Sequence, residues 1–176
     1  MTRTPTFERR IPAGDEHHRL VCTDCGFVQY ENPKVVVGSV VHAGERILMC
    51  RRAIEPRAGF WTLPAGYLEV HEMPEAGALR EAWEEAQARI DIEMLLAVYT
   101  IPRISQVQLI FRARLAAPEI AAGPESLEVA LFAWDEIPWK DIAFPTVRWA
   151  LHDFAETRGE TTIVTRRNPP GQVGDD

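Results

Sequence analysis

The sequence predicts a layered α/β domain, and three patterns support that prediction. Two short β-branched runs at 34–41 and 46–52 flank a turn, residues 107–115 alternate between apolar and mostly polar side chains, and two stretches of helix formers lie among the strands. Such mixing, with an antiparallel-looking stretch, is typical of a sheet that is not purely parallel. The 176 residues suffice for one main core and a small appendage.

Composition and charge exclude several classes of protein. Apolar residues make up 46% and charged residues 26%, which is ordinary globular usage. The formal charge of −7 argues against a nucleic-acid-coating or polybasic membrane-binding surface. The sequence has neither a membrane-spanning apolar run nor a secretory signal, so we expect a cytoplasmic protein with no membrane partner. The three cysteines do not have the pattern of a disulfide framework.

The first third of the chain predicts an appendage followed by a hairpin. Residues 1–33 are polar and interrupted by proline and glycine, whereas apolar residues dominate from Lys34 onward. The runs 34–41 and 46–52 with the intervening His-Ala-Gly-Glu predict a hairpin. We expect a ribbon-like appendage over 1–33, a main domain over 34–160 and a tail over 161–176, frayed from Arg166.

A helix is predicted over 74–87. Pro74 suits a first helical position, and helix formers follow it. Helical spacing places Glu81 and Glu85 on one side, with Glu84 beside them. The stripe expected to pack on the opposite side consists of Leu79, Ala82, Trp83 and Ala86.

Further strands are predicted over 90–100, 107–115 and 128–134, with a loop at 116–124. A last helix is predicted over 145–157. The residues that this helix should bury are Val147, Ala150, Leu151 and Phe154.

An unusual cluster of glutamates surrounds the first predicted helix. Its members are Glu69, Glu72, Glu75, Glu81, Glu84 and Glu85. Like charges at this density destabilise a fold unless they are solvated or neutralised. Gly66 followed by Glu72 and by the run Arg80-Glu-Ala-Trp-Glu-Glu85 resembles the Nudix box, G-x5-E-x7-R-E-U-x-E-E-x-G-U, where U is aliphatic.

The resemblance implies an α/β/α sandwich with a mixed sheet that hydrolyses a nucleoside diphosphate linked to another moiety. By position, Glu81 and Glu85 would be the principal metal ligands, and Glu84 a further ligand or a water-orienting group. Glu72 would be an auxiliary carboxylate, and the backbone carbonyl near Gly66 an additional ligand.

The same residues are suited to binding a metal ion on chemical grounds alone, without reference to the family. A loop opening at Gly66 would bring backbone close to an ion or phosphate, and carboxylates at i and i+4 offer hard oxygen ligands. Mg²⁺, with Mn²⁺ as a possible substitute, would let an acidic chain bind an anionic diphosphate. Arg80 is expected to hold the glutamates in place by ion pairing.

The sequence departs from the motif at Gln87, which replaces its late glycine, and at Ala82 and Ala88, which fill its aliphatic positions. If position 87 takes a positive φ, a residue other than glycine costs about 1 kcal/mol there.

Segments outside the box are similar to the Nudix subgroup that carries a small zinc ribbon before the catalytic domain. They include Tyr30–Lys34, Gly59–Gly66 and Asp135–Pro138. Members of this subgroup include FAD and ADP-ribose pyrophosphatases, and Pro102 lies near the place where ADP-ribose-hydrolysing members carry proline. The NADH pyrophosphatase signature is reduced to Ser105-Gln106, so ADP-ribose or FAD is the implied substrate.

Residues outside the helix are candidates for proton transfer and phosphate binding. In similar enzymes a base or extra ligand comes from an acidic residue ahead of a late strand, so Glu125 and Glu128 are candidates, and we favour Glu128. Arg51, Arg52 and Arg103 could bind the diphosphate, because guanidinium groups match phosphate geometry. Strand alternation allows only one of Arg51 and Arg52 to face inward.

The appendage contains half of a zinc site. Cys22 and Cys25 have knuckle spacing, but no cysteine precedes them, and His17 and His18 are adjacent, which is poor geometry for one ion. We expect a metal-free ribbon, with zinc at Cys22 and Cys25 as the alternative.

Other functions stay open at this point. The chain would alternatively be a catalytically silent module that binds a nucleotide-sugar as a sensor, a hydrolase that removes damaged nucleoside triphosphates, an NADH pyrophosphatase or an RNA-decapping enzyme. The acidic composition disfavours the last of these. A homodimer is expected from the resemblance alone.

Overall fold

The computed structural model describes residues 4–162, 164–172 and 174. Residues 1–3 of the expected appendage, and residues 163, 173, 175 and 176 of the expected tail, lie outside the described residues. The chain divides into two compact units, Met1–Pro33 and Lys34–Asp176. No helix in the described ranges is long and apolar enough to cross a membrane.

The first unit is a three-stranded antiparallel sheet of β1 (Phe7–Arg10), β2 (Arg19–Cys22) and β3 (Val28–Gln29), with β2 in the centre. A tight turn joins β2 to β3. In it the Gly26 N–H donates to the Cys22 carbonyl over 3.0 Å, and the Cys22 N–H donates to the Phe27 carbonyl over 2.8 Å. Gly26 has a φ of 75°, which glycine adopts without strain.

The second unit contains an eight-stranded mixed sheet and two helices. In chain order the elements are β4 (Lys34–Ala43), β5 (Arg46–Arg52), β6 (Trp61–Thr62), β7 (Ala65–Tyr67), α1 (Pro74–Ala86), β8 (Ile90–Ile101), β9 (Gln106–Leu115), β10 (Ser126–Ala133), α2 (Pro145–Glu156) and β11 (Arg166–Arg167). The main path is β10-β5-β4-β9-β8-β11; β4 pairs with β9 in parallel, as β8 does with β11.

The predicted hairpin is confirmed, and its two strands separate beyond the turn. His42 pairs with Ile47 and Ala43 with Arg46. Farther along, β5 pairs with β6 and β4 pairs with β7, so the segment 61–67 fills the gap between them. Because of this insertion, β7 lies beside α1, the helix that carries the glutamates.

One helix covers each face of the sheet, so the predicted α/β/α sandwich with a mixed sheet is confirmed. Alternate residues of β4 point to opposite faces, Val41 to the cluster with Ala82 and Ala86, and Val40 to the cluster with Leu151 and Phe154. The four residues predicted for the buried face of α2 are all buried.

The predicted packing face of α1 is wrong in part. Leu79 and Trp83 are 41% and 50% exposed. The residues that α1 buries are Gly77, Ala78, Glu81, Ala82, Glu85 and Ala86. The helix contacts the sheet through small side chains, which permit close approach and bury the two carboxylates at the edge of the contact.

The expectation of a frayed tail is wrong at Arg166 and Arg167, which pair with Ala97 and Val98 of β8. The Asn168 side chain continues this pairing, accepting from the Thr100 N–H and donating to the Thr100 carbonyl, both over 2.8 Å. A strand pairing contributed by distant segments leaves no periodic signal in a short polar tail.

Candidate active site

Glu81 and Glu85 form a buried carboxylate pair on α1. One helical turn separates them, and they are only 8% and 5% exposed. The Ala65 N–H of β7 donates to Glu85 Oε2 over 3.1 Å. The inserted strand therefore supplies a main-chain donor to a carboxylate on the neighbouring helix.

Gly66 gives Glu81 the space for its carboxylate. A Cβ at this position would overlap both carboxylate oxygens of Glu81. The expected loop opening at Gly66 is wrong, because Gly66 lies in β7 and pairs with Val37. Close approach to a side chain, and not freedom of φ, explains why glycine occupies this position.

Arg80 joins three of the glutamates around one guanidinium. Its Nε and Nη2 donate to Glu72 over 2.8 and 2.9 Å, and its Nη1 donates to Glu81 over 2.7 Å and to Glu84 over 3.0 Å. A further bond reaches the Tyr67 carbonyl over 3.0 Å. The expected ion pairs of Arg80 are thus present, and they hold the pKa of Glu72 down at about 2.

The electrostatics of the buried pair favour a cation. Burial raises the pKa of Glu85 to about 8, against the Ala65 N–H and the charge of Arg52, which act to lower it. Burial also raises the pKa of Glu81, against its ion pair with Arg80. Two buried carboxylates with too little nearby positive charge are suited to a divalent ion, which neutralises both.

The donor chemistry fits Mg²⁺ in type, since carboxylate and carbonyl oxygens are its preferred ligands. Among residues 4–162, 164–172 and 174, no three His, Cys, Asp or Glu side chains converge as a ready-made metal site. Three of the carboxylates instead face the guanidinium of Arg80. Ligation by Glu84 would therefore require its exposed side chain to turn away from Arg80.

Arg51 and Arg52 end β5 and point to different partners. Their Nε groups donate to the carbonyls of Gly59 and Pro56, respectively, over 2.9 and 2.8 Å, which braces the loop 53–60. The charge of Arg52 acts on Glu85, whereas Arg51 lies 3.7 Å from Glu128. Of the two, Arg52 is the one whose charge lowers the pKa of Glu85, and its guanidinium lies 5.2 Å from the centroid of the Phe144 ring.

Arg103 lies on an exposed 3₁₀ turn, Pro102–Ile104, that follows β8. The next strand begins at Gln106, which pairs with Lys34 at the start of β4. Because β5 runs antiparallel to β4, the Arg52 end of β5 lies at this same edge of the sheet.

The two candidate loop carboxylates have different surroundings. Glu125 is close enough to raise the pKa of both Glu81 and Glu85. Glu128 pairs in register with Arg51, across an irregularity in the β10–β5 pairing between Ser126 and Glu128. Glu125 is a candidate from the sequence. No sequence pattern predicts this irregularity, which changes the direction in which the side chains point.

The cysteines of the first unit have unlike environments. Cys22 is buried, Cys25 is exposed, and no disulfide joins them. The main-chain N–H groups of Cys25 and Asp24 lower the pKa of the Cys22 thiol. Among the described residues no third side chain joins them in a group that could hold a metal.

Comparisons with known proteins agree with this architecture. Residues 32–150 match the family model of the NUDIX domain, and residues 4–31 match the zinc-ribbon model described as Nudix N-terminal. The crystal structure of a NUDIX hydrolase from Nitrosomonas europaea is 44% identical, with a TM-score of 0.86 over 92% of this chain and 93% of that one.

Two curated proteins are more distant. A MutT-like protein of Streptomyces ambofaciens is 37% identical over 58% of this chain and 64% of its own length. An ADP-ribose pyrophosphatase of Methanocaldococcus jannaschii is 28% identical over 62% of this chain and 67% of its own length. The matched region thus spans about two thirds of these relatives.

Proposed function

The chain belongs to the Nudix family, and on that premise we propose that it is a pyrophosphohydrolase. It would cleave the pyrophosphate bond of a nucleoside diphosphate linked to another moiety. The observation that carries the proposal is the buried pair of Glu81 and Glu85 beneath β7, because burying two carboxylates is costly and a divalent cation bound between them would offset that cost.

We assign the cation site to Glu81 and Glu85, with the carbonyl of Gly66 and the exposed Glu84 as further oxygen donors. Bound Mg²⁺, or Mn²⁺ in its place, would neutralise diphosphate charge and lower the pKa of a water molecule. Glu72 is held by Arg80 through two charged hydrogen bonds, which supports a bracing role for it more than direct ligation.

The chain's own groups would orient the substrate and the water. Arg52, whose charge acts on Glu85, is the first candidate for a diphosphate contact, and Arg51 and Arg103 are the others. For the acid–base step we propose Glu125, since its charge acts on the metal-binding pair, whereas Glu128 lies beside Arg51.

The proposed substrate is ADP-ribose or FAD. The M. jannaschii relative named as an ADP-ribose pyrophosphatase supports the first, and so does the position of Pro102 in the sequence. A cytoplasmic location, a homodimer and a ribbon without zinc stay predictions.

The test is phosphate release, coupled to a phosphatase, from ADP-ribose, FAD, NADH, NAD, diadenosine polyphosphates and nucleoside triphosphates. Each substrate is assayed with Mg²⁺, with Mn²⁺ and with a chelator. Release from ADP-ribose or FAD that requires the ion supports the proposal. Tight binding with no turnover of any substrate would instead identify a sensor module.

The matched variants are Glu85→Gln and Glu75→Gln. Loss of the Glu85 charge should lower kcat at least about 100-fold while the fold persists. Glu75 lies on the exposed first turn of α1, so its substitution should leave the rate unchanged. An undiminished rate for Glu85→Gln would contradict the ligand assignment.

A further inference from the structure

We propose that Gly123 is a positioning residue, which holds the Glu125 carboxylate opposite Glu81 and Glu85 by tying its loop to the end of α1. The inference rests on the proposed function. It concerns the segment 121–125, which lies between β9 and β10 in the chain and is hydrogen-bonded to the end of α1.

The C-terminal end of α1 is built to receive this segment. Gln87 takes the left-handed conformation, with a φ of 46°, and its N–H donates to the Trp83 carbonyl over 2.8 Å. The Ala88 N–H donates to the Ala82 carbonyl over 3.1 Å, which completes a C-terminal capping turn. The chain then leaves the helix while the carbonyls of its last residues still need donors.

Those donors come from the loop. The Gly123 N–H donates to the Glu85 carbonyl over 3.0 Å, and the Ala121 N–H donates to the Ala86 carbonyl over 2.9 Å. Glu85 therefore makes two contributions. Its side chain is one of the two buried carboxylates, and its main-chain carbonyl holds the loop.

Glycine is required at position 123 by space. Gly123 is buried, and a Cβ there would overlap the Glu84 carbonyl oxygen and lie 3.3 Å from the Glu85 Cα. Its φ is outside the positive region, so backbone conformation does not account for the glycine. The loop lies closer to the helix than any residue with a side chain allows.

The other side of the loop is fixed as well. The Ser126 N–H donates to the Gly123 carbonyl over 3.0 Å, and the Ala53 N–H donates to the Glu125 carbonyl over 2.8 Å. Glu125 is thus held between the α1 end and the strand that carries Arg52. The Glu125 side chain is exposed, and the main-chain bonds of its loop place it beside the end of α1 that carries Glu85.

A double-mutant cycle tests the proposal. The proteins are the wild type, Gly123→Ala, Glu125→Gln and the double variant, each measured for kcat and KM and for Mn²⁺ affinity by electron paramagnetic resonance without substrate. We expect Gly123→Ala to lower kcat about tenfold with little change in KM, and to lower Mn²⁺ affinity about tenfold because the Glu125 charge would be withdrawn from the neighbourhood of the ion. The double variant should be no worse than Glu125→Gln, because Gly123 acts through Glu125.

A matched control separates positioning from loss of stability. Gly159 follows α2 with a φ of 83°, and no atom lies within 4 Å of a Cβ placed there. Gly159→Ala therefore introduces backbone strain away from the loop and should keep the wild-type kcat and Mn²⁺ affinity. Pro124→Gly is taken through the same cycle, because it loosens the loop without placing a methyl group against Glu84 and Glu85, and it decides the result where Gly123→Ala displaces α1 or does not fold.

Two results would overturn the inference. The first is a loop variant that keeps the wild-type kcat and Mn²⁺ affinity. The second is a loop substitution that lowers kcat and Mn²⁺ affinity by the same factor in the Glu125→Gln background as in the wild type. The Mn²⁺ measurements need no turnover, so they decide this inference even if none of the substrates is hydrolysed and the proposed function fails.

Discussion

At Gly66 the main chain of β7 lies against the carboxylate of Glu81, and a single methyl group would separate them. We expect Gly66→Ala to displace Glu81 and lower kcat about 100-fold, because Glu81 is a proposed metal ligand and ligand geometry tolerates little movement. Steady-state kinetics with Mg²⁺ measure this.

The control is Gly44→Ala, which places its methyl group in open space in the hairpin turn. It should destabilise the protein by about 1 kcal/mol, because its φ is 62°, yet leave the rate unchanged. Equal activity of the two variants would refute the packing argument for Gly66.

The three thiols should differ in reactivity for physical reasons. Burial raises the pKa of Cys50, and Glu85 nearby adds to this effect, whereas Cys25 is exposed. With a chromogenic thiol reagent, we expect Cys25 to react in the native protein and Cys50 only after denaturation. Protection of Cys25 that a chelator removes would show instead that the ribbon binds zinc.

At the scale of elements, α1 carries the carboxylates, and the conformation at its C-terminal end is not optimal for the residue found there. Gln87 has a φ of 46°, the conformation that glycine adopts most easily. We expect Gln87→Gly to raise the free energy of unfolding by about 1 kcal/mol and to leave the capping bonds intact.

Denaturant unfolding measures this change, and Gln87→Ala is the control, because alanine keeps the Cβ that causes the strain. The alanine variant should be no more stable than the wild type. If glycine brought no gain, the left-handed turn would be stabilised by contacts of the glutamine side chain.

At the scale of the molecule, all residues of the proposed site lie within 34–176, in the second unit. We expect a fragment of residues 34–176 to fold and to retain metal-dependent turnover within about threefold of the full chain. Circular dichroism and the phosphate-release assay measure the two properties. A fragment that is folded but inactive would give the ribbon a part in substrate binding.

The predictions of single elements that are confirmed are those that depend on local spacing. The helix over Pro74–Ala86, the hairpin and the buried face of α2 all follow from periodicity and turn chemistry within short stretches. The positive φ considered from the sequence for position 87 is present, and it too is a local feature of a helix end.

By itself, then, the sequence determined the α/β class and the run of glutamates with its arginine, because these depend on residues a few positions apart. Only the tertiary structure decided which side of α1 is buried, where Gly66 lies and which strand residue Glu128 pairs with. Those outcomes depend on the register between distant segments, such as β7 against β4 and β10 against β5, and periodicity within one segment carries no information about that register.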